Sequence, residues 1–473
     1  MPEKYVIHTT TVPNRFRAIS KSGIIAWEEG CLRCAICVKE RCVYDVYYKR
    51  KLDSRQMIDS IDNLCMNCLR CVQGCPKELI SKSVNPEFKE MGDDFFTPEI
   101  ISRLWYQAET GKIPVSGAGY PGPFSGPGFD SMWTDMSEIV RPTRDGIHGR
   151  EYISTAIDLG KASGSLKFDQ SGGLMGEAPF LVDIPLPIML KVPPFGAISG
   201  NTLLGWAMAA KRLGTLLAVK RDDVQKLPDQ FRPWLLPMLE ADLSDTAAIP
   251  GGVRIVEIPW SRKWDKTAKI IKDAFPSLLL CVNVAMMDGM EEKARAVAEA
   301  GADIIHLDAG ALDGDQDTKA CDARAYDPRR VKDAIRSVHN KLVAANIRDG
   351  VTLVASGGFA MAEHVAKGML CGADAVMAEF QLLISLQCRM CRRCTIGLSC
   401  PMDIQDASAK WVAGRVVNLF GAWHNQLIEV MGAMGIRDAR RLRGEVGRAM
   451  FYEDLDKAVF GSLGSAAEGF ELE

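Results

Sequence analysis

Val351-Thr352-Leu353-Val354-Ala355-Ser356-Gly357-Gly358 is followed, after a helical run from Ala360 to Cys371, by Gly372-Ala373-Asp374-Ala375-Val376-Met377-Ala378. Each apolar run is too short for a helix and reads as a buried strand. Strand, helix and strand in that order make a parallel βαβ unit. The alternation continues backward through the chain. Strand-like runs stand at Leu186–Val192, Leu216–Lys220, Val253–Ile258, Leu278–Val284 and Ile304–Asp308. Helical patterns fill Thr202–Leu213, Lys263–Ala274, Glu291–Ala300 and Pro328–Ala344. Seven strands are legible, and an α/β fold of the (β/α)8 TIM-barrel type fits the length. The eighth strand is not evident. A doubly wound sheet is the alternative, but no glycine-rich dinucleotide fingerprint follows the first strand.

Barrels of this kind bind ligands at the C-terminal ends of their strands. Ser356, Gly357 and Gly358 are candidates there, followed by Gly372, Ala373 and Asp374 before the last strand. A glycine pair lets backbone N–H groups approach a phosphate at a helix N-terminus. Two tight turns explain the same residues.

Fifteen cysteines occur in 473 residues, and twelve of them fall into three groups of four. They are Cys31, Cys34, Cys37 and Cys42; Cys65, Cys68, Cys71 and Cys75; and Cys388, Cys391, Cys394 and Cys400. The second group, closed by Pro76, has the spacing of a bacterial ferredoxin run for [4Fe–4S]. In two-cluster ferredoxins the fourth cysteine of each run crosses over. One cluster then takes Cys31, Cys34, Cys37 and Cys75, and the other takes Cys65, Cys68, Cys71 and Cys42. The first run departs slightly, with Val43 where proline is usual. Zinc is the alternative, but it prefers two separated Cys-x2-Cys pairs. Cys281, Cys321 and Cys371 stand apart and read as small buried hydrophobes.

Apolar residues make up 47%, charged residues 25%, and the net charge is −3. Nothing in that balance suggests a polyanion partner such as nucleic acid, and none is expected. The longest apolar stretch, Leu203–Val219, is interrupted by Lys211 and Arg212 and cannot span a bilayer. No signal-peptide pattern opens the chain, so a cytoplasmic location is expected. The expected domains are a two-cluster ferredoxin-like α+β module at 1–90, a Gly/Pro-rich connecting segment at 91–140, the barrel at 141–406 with the third cluster at 388–400, and a helical extension at 407–473. Tyr120, Phe124, Phe129 and Trp133 in the connecting segment favour an ordered strap over a plain linker. Trp411, Val412, Val416, Leu419 and Trp423 recur at helical spacing and should pack on the barrel or a partner. Asp438–Arg448 reads as a solvated basic face, and 461–473 as a disordered end.

Residues from about Arg141 to Asp406 resemble the FMN-binding synthase domain of the glutamate synthases. The matching phrases are Arg150-Glu151-Tyr152-Ile153-Ser154-Thr155, Phe195-Gly196-Ala197-Ile198-Ser199, Asn346-Ile347-Arg348-Asp349, Gly372-Ala373-Asp374-Ala375 and the segment ending Cys400-Pro401. With the N-terminal module, the chain is similar to the archaeal-type stand-alone subunit. The resemblance implies reduction of 2-iminoglutarate, formed from ammonia and 2-oxoglutarate, to L-glutamate by reduced FMN. It places Gly196, Ala197, Ser199, Asn283, Ser356, Gly357, Gly358 and Ala378 against the flavin. It implies electrons from ferredoxin or other redox subunits. The partners it suggests are a separate glutaminase or an NAD(P)H-oxidising flavoprotein subunit. The family's barrel cluster is [3Fe–4S] on three cysteines, matched by Cys388, Cys394 and Cys400. Cys391 adds a thiolate, so [4Fe–4S] is expected, with [3Fe–4S] as the alternative. Arg389, Arg392 and Arg393 either offset the thiolates or form a solvated face.

Several residues depart from the family. Lys220-Arg221-Asp222-Asp223 replaces Gly-Glu-Gly-Gly, and Asn283 replaces a lysine beside the flavin ring. Leu307-Asp308-Ala309-Gly310-Ala311-Leu312 replaces His-Asp-Gly-Gly-Thr-Gly. Met377 replaces a glycine near the flavin phosphate, and Glu379 lies close by. Lys220, Arg221, Arg262 and Lys263 are candidate anion binders at strand ends. Two functions follow: a glutamate synthase-like flavoprotein enzyme, or a non-catalytic electron-transfer or scaffold subunit with a degenerate keto-acid site. No catalytic acid or base is assigned.

Overall fold

The computed structural model describes residues 5–26, 30–47, 64–113, 128–134, 153–161, 167–175, 180–241, 249–310 and 326–467. Arg150–Tyr152, Tyr120, Phe124, Ala311, Leu312 and Cys321 lie outside them.

Eight parallel strands close into a barrel. They are β1 (Ile188–Lys191), β2 (Leu217–Lys220), β3 (Leu235–Met238), β4 (Ile255–Pro259), β5 (Leu279–Ala285), β6 (Ile304–Asp308), β7 (Thr352–Ser356) and β8 (Ala375–Ala378). Each pairs with its chain neighbours, and β8 closes on β1. The strand the sequence hides is β3. It leaves a 3-10 turn containing Pro233 and carries Pro237 itself. A proline has no N–H for a ladder. The pairing to β4 is a single register pair, Met238 to Glu257, so little is asked of it there.

The helices fall where the periodicity places them. Gly200–Leu213 is capped by Ser199, whose Oγ accepts from Thr202 N at 3.3 Å, and ends at Gly214 with φ +67°. Val331–Ala344 and Ala362–Leu370 follow β6 and β7. The C-terminal extension begins with a 25-residue helix, Ala409–Ala433, whose long buried face lies on Gly200–Leu213. The two helices approach so closely that a Cβ on Gly205 would sit 2.5 Å from Val412 Cβ.

Arg415 of that long helix is fully buried and donates to three carbonyls, Ser385 O at 2.5 Å, Val12 O at 3.1 Å and Trp105 O at 3.2 Å. Burial lowers its pKa to about 10. One side chain thereby ties the N-terminal segment, the connecting region and the turn before Cys388 together. The connecting region contains a capped helix, Pro98–Thr110, with its apolar face buried. Farther on, Phe129 stacks on Phe359 at 5.1 Å, and Met132–Thr134 pairs with Ala449–Phe451. The described part of this region is thus laid over the barrel.

Two expectations for the C-terminus are corrected. The basic stretch is solvated only in part: Arg440 and Arg441 are exposed, but Ala439 and Leu442 are buried, and Arg440 pairs with Asp158 at 2.7 Å and Arg443 with Asp349 and Asp374. Residues 461–467 belong to the helix Tyr452–Ala467. Among the described residues, no helix is long and apolar enough to cross a membrane.

The N-terminal cysteine region is small. Ser22–Ala26 pairs antiparallel with Ile80–Val84 and brackets both cysteine runs. Its apolar core among the described residues is Val46, Tyr47, Cys71 and Ile80, with Cys37, Cys42, Cys65 and Cys75 packed around it. Among the described residues, so few buried side chains offset little of the ordering entropy.

Candidate functional site

The three cysteine groups each surround a hollow. Cys31, Cys34, Cys37 and Cys75 line one of about 400 Å³. Cys42, Cys65, Cys68 and Cys71 line one of about 290 Å³. The fourth cysteine of each run therefore sits with the other run's triplet, as crossed ligation requires. Cys388, Cys391, Cys394 and Cys400 line the third, of about 360 Å³, together with Phe195, Gly196 and Ala197 after β1.

One backbone shape recurs in all three runs. Counting from the first cysteine, the second and fourth residues after it are left-handed: Arg33 and Ala35, Asn67 and Leu69, Met390 and Arg392, with φ between 53° and 58°. None is glycine. Such residues cost about 1–2 kcal/mol each and persist only where the surroundings enforce them. The twist turns peptide N–H groups toward sulfur: Arg33 N donates to Cys31 Sγ and Met390 N to Cys388 Sγ, both at 3.4 Å. Among the described residues, no three His, Cys, Asp or Glu side chains converge closely enough to hold a single metal ion. A zinc site needs all its sulfurs about 2.3 Å from one point. Sulfurs spread around a hollow suit a polynuclear cluster, in which each thiolate takes its own iron. Burial pushes the Cys388 thiol up to about 12; a cationic iron core would reverse that.

Cys391 occupies the same place in its run as Cys34 and Cys68 do in theirs. With the expected [4Fe–4S] cluster bound at the third group, Cys391→Ser should cost that site about one iron in four and give the EPR signal of a [3Fe–4S] centre. An unchanged spectrum and iron content would remove Cys391 from the ligand set. The neighbouring arginines meet acids of the N-terminal region: Arg389 lies 3.8 Å from Glu87 and Arg392 3.8 Å from Asp93. Gly92 N also donates to Arg389 O at 2.9 Å. These contacts seat the first cysteine region beside the third group.

The barrel interior beneath the strand ends is polar. Lys191 ends β1 and is buried, with Nζ 2.5 Å from Asp308 Oδ2 and 3.5 Å from Glu379 Oε1. Asp308 also accepts from Asn283 Nδ2, Ser356 Oγ and Gly310 N. Below it, His306 Nδ1 lies 2.9 Å from Glu257 Oε2 and Nε2 lies 2.9 Å from Ser356 Oγ. Asn283 Nδ2 donates to Glu257 Oε1 at 3.0 Å. Ser356 gives its one proton to Asp308, so His306 Nε2 donates to Ser356. Burial alone would lower the Lys191 pKa, but Asp308 and Glu379 outweigh it and raise it. Burial raises Asp308, but Lys191 and His306 hold its carboxyl well below the ordinary range. Glu379 goes the other way: burial pushes it up more than Lys191 pulls it down.

The residues expected at a flavin are distributed as follows. Asn283 and Ser356 belong to this polar floor. Gly196 and Ala197 line the third cysteine hollow. Ser199 is a helix cap. Ala378 is buried at the end of β8. Gly357 and Gly358 follow β7, where a Cβ would meet Ala309 Cβ at 2.5 Å and Val331 Cβ at 2.6 Å respectively. Gly372, Ala373 and Asp374 lie at the opposite end of the barrel, before β8. There Arg348 donates to Gly372 O and Asp374 Oδ2, so this phrase and Asn346–Asp349 form one structural lock. Lys220 is exposed and Arg221 pairs with Asp222 and Glu240, away from the floor. Lys191, Glu257 and His306 were not expected. The available signal was a charged or titratable residue within or ending an otherwise apolar strand.

Residues 265–437, from the helix before β5 through the third cysteine group, match the family described as a conserved region in glutamate synthase. An archaeal-type glutamate synthase [NADPH] from Dehalococcoides mccartyi is 26% identical over 88% of this chain and 92% of its own. An archaeal glutamate synthase [NADPH] from Archaeoglobus fulgidus is 25% identical over 93% and 96%. The chain therefore resembles these proteins over most of its length, at about a quarter identity. Among solved structures, a mandelate oxidase aligns with 66% of this chain and 97% of its own, at 12% identity and a TM-score of 0.39.

Proposed function

We propose that this chain is a glutamate synthase-like oxidoreductase whose three cysteine quartets hold [4Fe–4S] clusters that carry electrons to the barrel mouth. The observation that carries this reading is the strained backbone repeated in three runs, each around a four-sulfur hollow. The thin core of the N-terminal region supports it, because bound clusters would supply the interior that side chains do not. The relatives' printed name suggests the reaction. Reductive amination of 2-oxoglutarate, or a related acid, by ammonium takes up two electrons and two protons and releases one water. Ferredoxin, or an NAD(P)H-oxidising partner subunit, would supply the electrons. Ammonia would come from solution or a separate glutaminase subunit, and the setting would be the cytoplasm.

FMN supplies hydride in the family this chain resembles. Asn283 and Ser356, two of the residues that the resemblance puts against the flavin, belong to the polar floor, where they bond to Asp308 beside Lys191. The phosphate end fits less well. Gly358 is closed against Val331, Ala360 N is already bonded to His364 Nδ1, and the Glu379 carboxyl stands at the end of β8. A carboxylate beside a phosphate is repulsive. Glu379→Gly should therefore tighten FMN binding about tenfold or more, read from quenching of flavin fluorescence. Equal affinity in the two proteins would show that Glu379 does not face the phosphate.

The second reading, an electron-transfer or scaffold subunit, is favoured by one observation. Asn283 stands where the resemblance puts a lysine, and Met377, with Glu379 close by, where it puts a glycine near the flavin phosphate. Anaerobic protein assayed for iron, sulfide and flavin, then given 2-oxoglutarate, ammonium and reduced ferredoxin, separates the two. Clusters with glutamate formed support the first reading. Clusters without turnover support the second, and zinc in place of iron defeats both.

A further inference from the structure

The second hollow opens onto an exposed apolar rim. Tyr44, Met66 and Leu69 line it and are 40%, 67% and 44% exposed. Val43 and Leu64 beside them are 60% and 39% exposed. Solvent-facing apolar groups gathered at one site mark a contact surface more often than an ordinary face. Arg41 lines the same hollow, and Arg70, next to Leu69, is exposed. Lys82 Nζ reaches Cys65 Sγ at 2.5 Å. The charge of this region is also set apart from the rest. Residues 30–84 carry ten Lys and Arg against six Asp and Glu, while the whole chain carries 57 against 60.

We propose that the Tyr44–Met66–Leu69 rim, with Arg41 and Arg70, is the docking surface for an acidic one-electron carrier protein whose redox centre lies near its own surface. This rests on the cluster reading above and adds where electrons enter. The rim lines the same hollow as Cys42, Cys65, Cys68 and Cys71, so a carrier docked on it lies beside that site. A small apolar contact with charged flanks suits a transient redox encounter, which needs fast arrival and fast release. Charge also decides against a second copy of this chain, because two basic rims repel. In the transfer one electron leaves the reduced carrier and enters the cluster at Cys42, Cys65, Cys68 and Cys71. The carrier is oxidised and the cluster reduced, and no bond or proton moves.

The test is stopped-flow reduction of the anaerobic, cluster-loaded protein by a reduced acidic ferredoxin, at low and at high salt. The variants are Arg70→Glu and Met66→Gln, with Lys266→Glu on the barrel helix Trp264–Ala274, which packs on β4 and β5, as the control. Dithionite, which needs no docking surface, should reduce every variant to the same EPR intensity, showing the clusters intact. The second-order rate with ferredoxin should fall about tenfold in Arg70→Glu and several-fold in Met66→Gln. It should also fall with salt in the wild type and hold in Lys266→Glu. Wild-type rates in both rim variants, or an equal loss in Lys266→Glu, would overturn the docking surface while leaving the clusters standing. Protein that takes up no iron would overturn the proposed function and this surface with it.

Discussion

Lys191→Met should destabilise the barrel by about 3–5 kcal/mol, the cost of leaving buried charges without their partner. Asp308 and Glu379 are both buried and share this one ammonium. The methionine keeps the volume of the lysine stem, so cavity formation contributes little. Urea unfolding at neutral pH measures the loss. Adding Glu379→Gln should restore part of it, since one of the two orphaned acids is then neutral.

The pH dependence follows from the directions of the shifts. Asp308 and Glu257 have folded pKa values below their ordinary ones. For Glu257, burial opposes the shift, but His306, Asn283 and Lys191 together prevail. The stability these two carboxylates contribute is present above about pH 4 and is lost as pH falls through their folded values. Glu379 is raised, so its contribution runs in the opposite sense and declines as pH rises through its folded value. The Lys191 contribution is complete below about pH 10 and disappears only in strong alkali. In Lys191→Met the orphaned acids take up protons more readily. The gap between wild type and variant should therefore narrow as pH falls from about 7 to about 5. A gap that widens would mean that Lys191 is not the counter-ion of these acids.

On the proposed assignment of three clusters, Cys42→Ala should remove about one third of the iron and leave the other two clusters spectroscopically intact. The informative background is one in which Cys31, Cys34 and Cys37 are already replaced. There crossed ligation predicts that Cys42→Ala takes away a further cluster, the one shared with Cys65, Cys68 and Cys71. Sequential ligation predicts no further loss. The same substitution should open the N-terminal region to proteolysis. Its described core is four side chains with cysteines packed around them, so a lost cluster is a lost interior. A region that stays protease-resistant without iron would show that its own packing suffices.

Much of the barrel is legible because a buried parallel strand has to be apolar and its helix amphipathic. The two periods alternate visibly from Leu186 to Ala378. Strand β3 escaped because Pro233 and Pro237 imitate a loop. The cysteine groups were legible through spacing. Their crossed grouping was an inference about ferredoxin runs, and the hollows agree with it. The phrase Gly372-Ala373-Asp374 was misread as part of the mouth, because sequence proximity to a strand does not say which end of it faces a ligand.

The sequence by itself determined the alternation of strand and helix, the thiol spacing and the glutamate synthase resemblance, since each is written in short-range pattern. Only the tertiary structure brought Lys191, Glu257, Asn283, His306, Asp308, Ser356 and Glu379 together, from β1, β4, β5, β6 and β7 and from just past β8. Barrel closure sets β1 beside β8, so a lysine and a glutamate 188 positions apart become an ion pair. A charge inside an apolar strand announces that it must be compensated, but only the closed sheet determines which distant side chain compensates it.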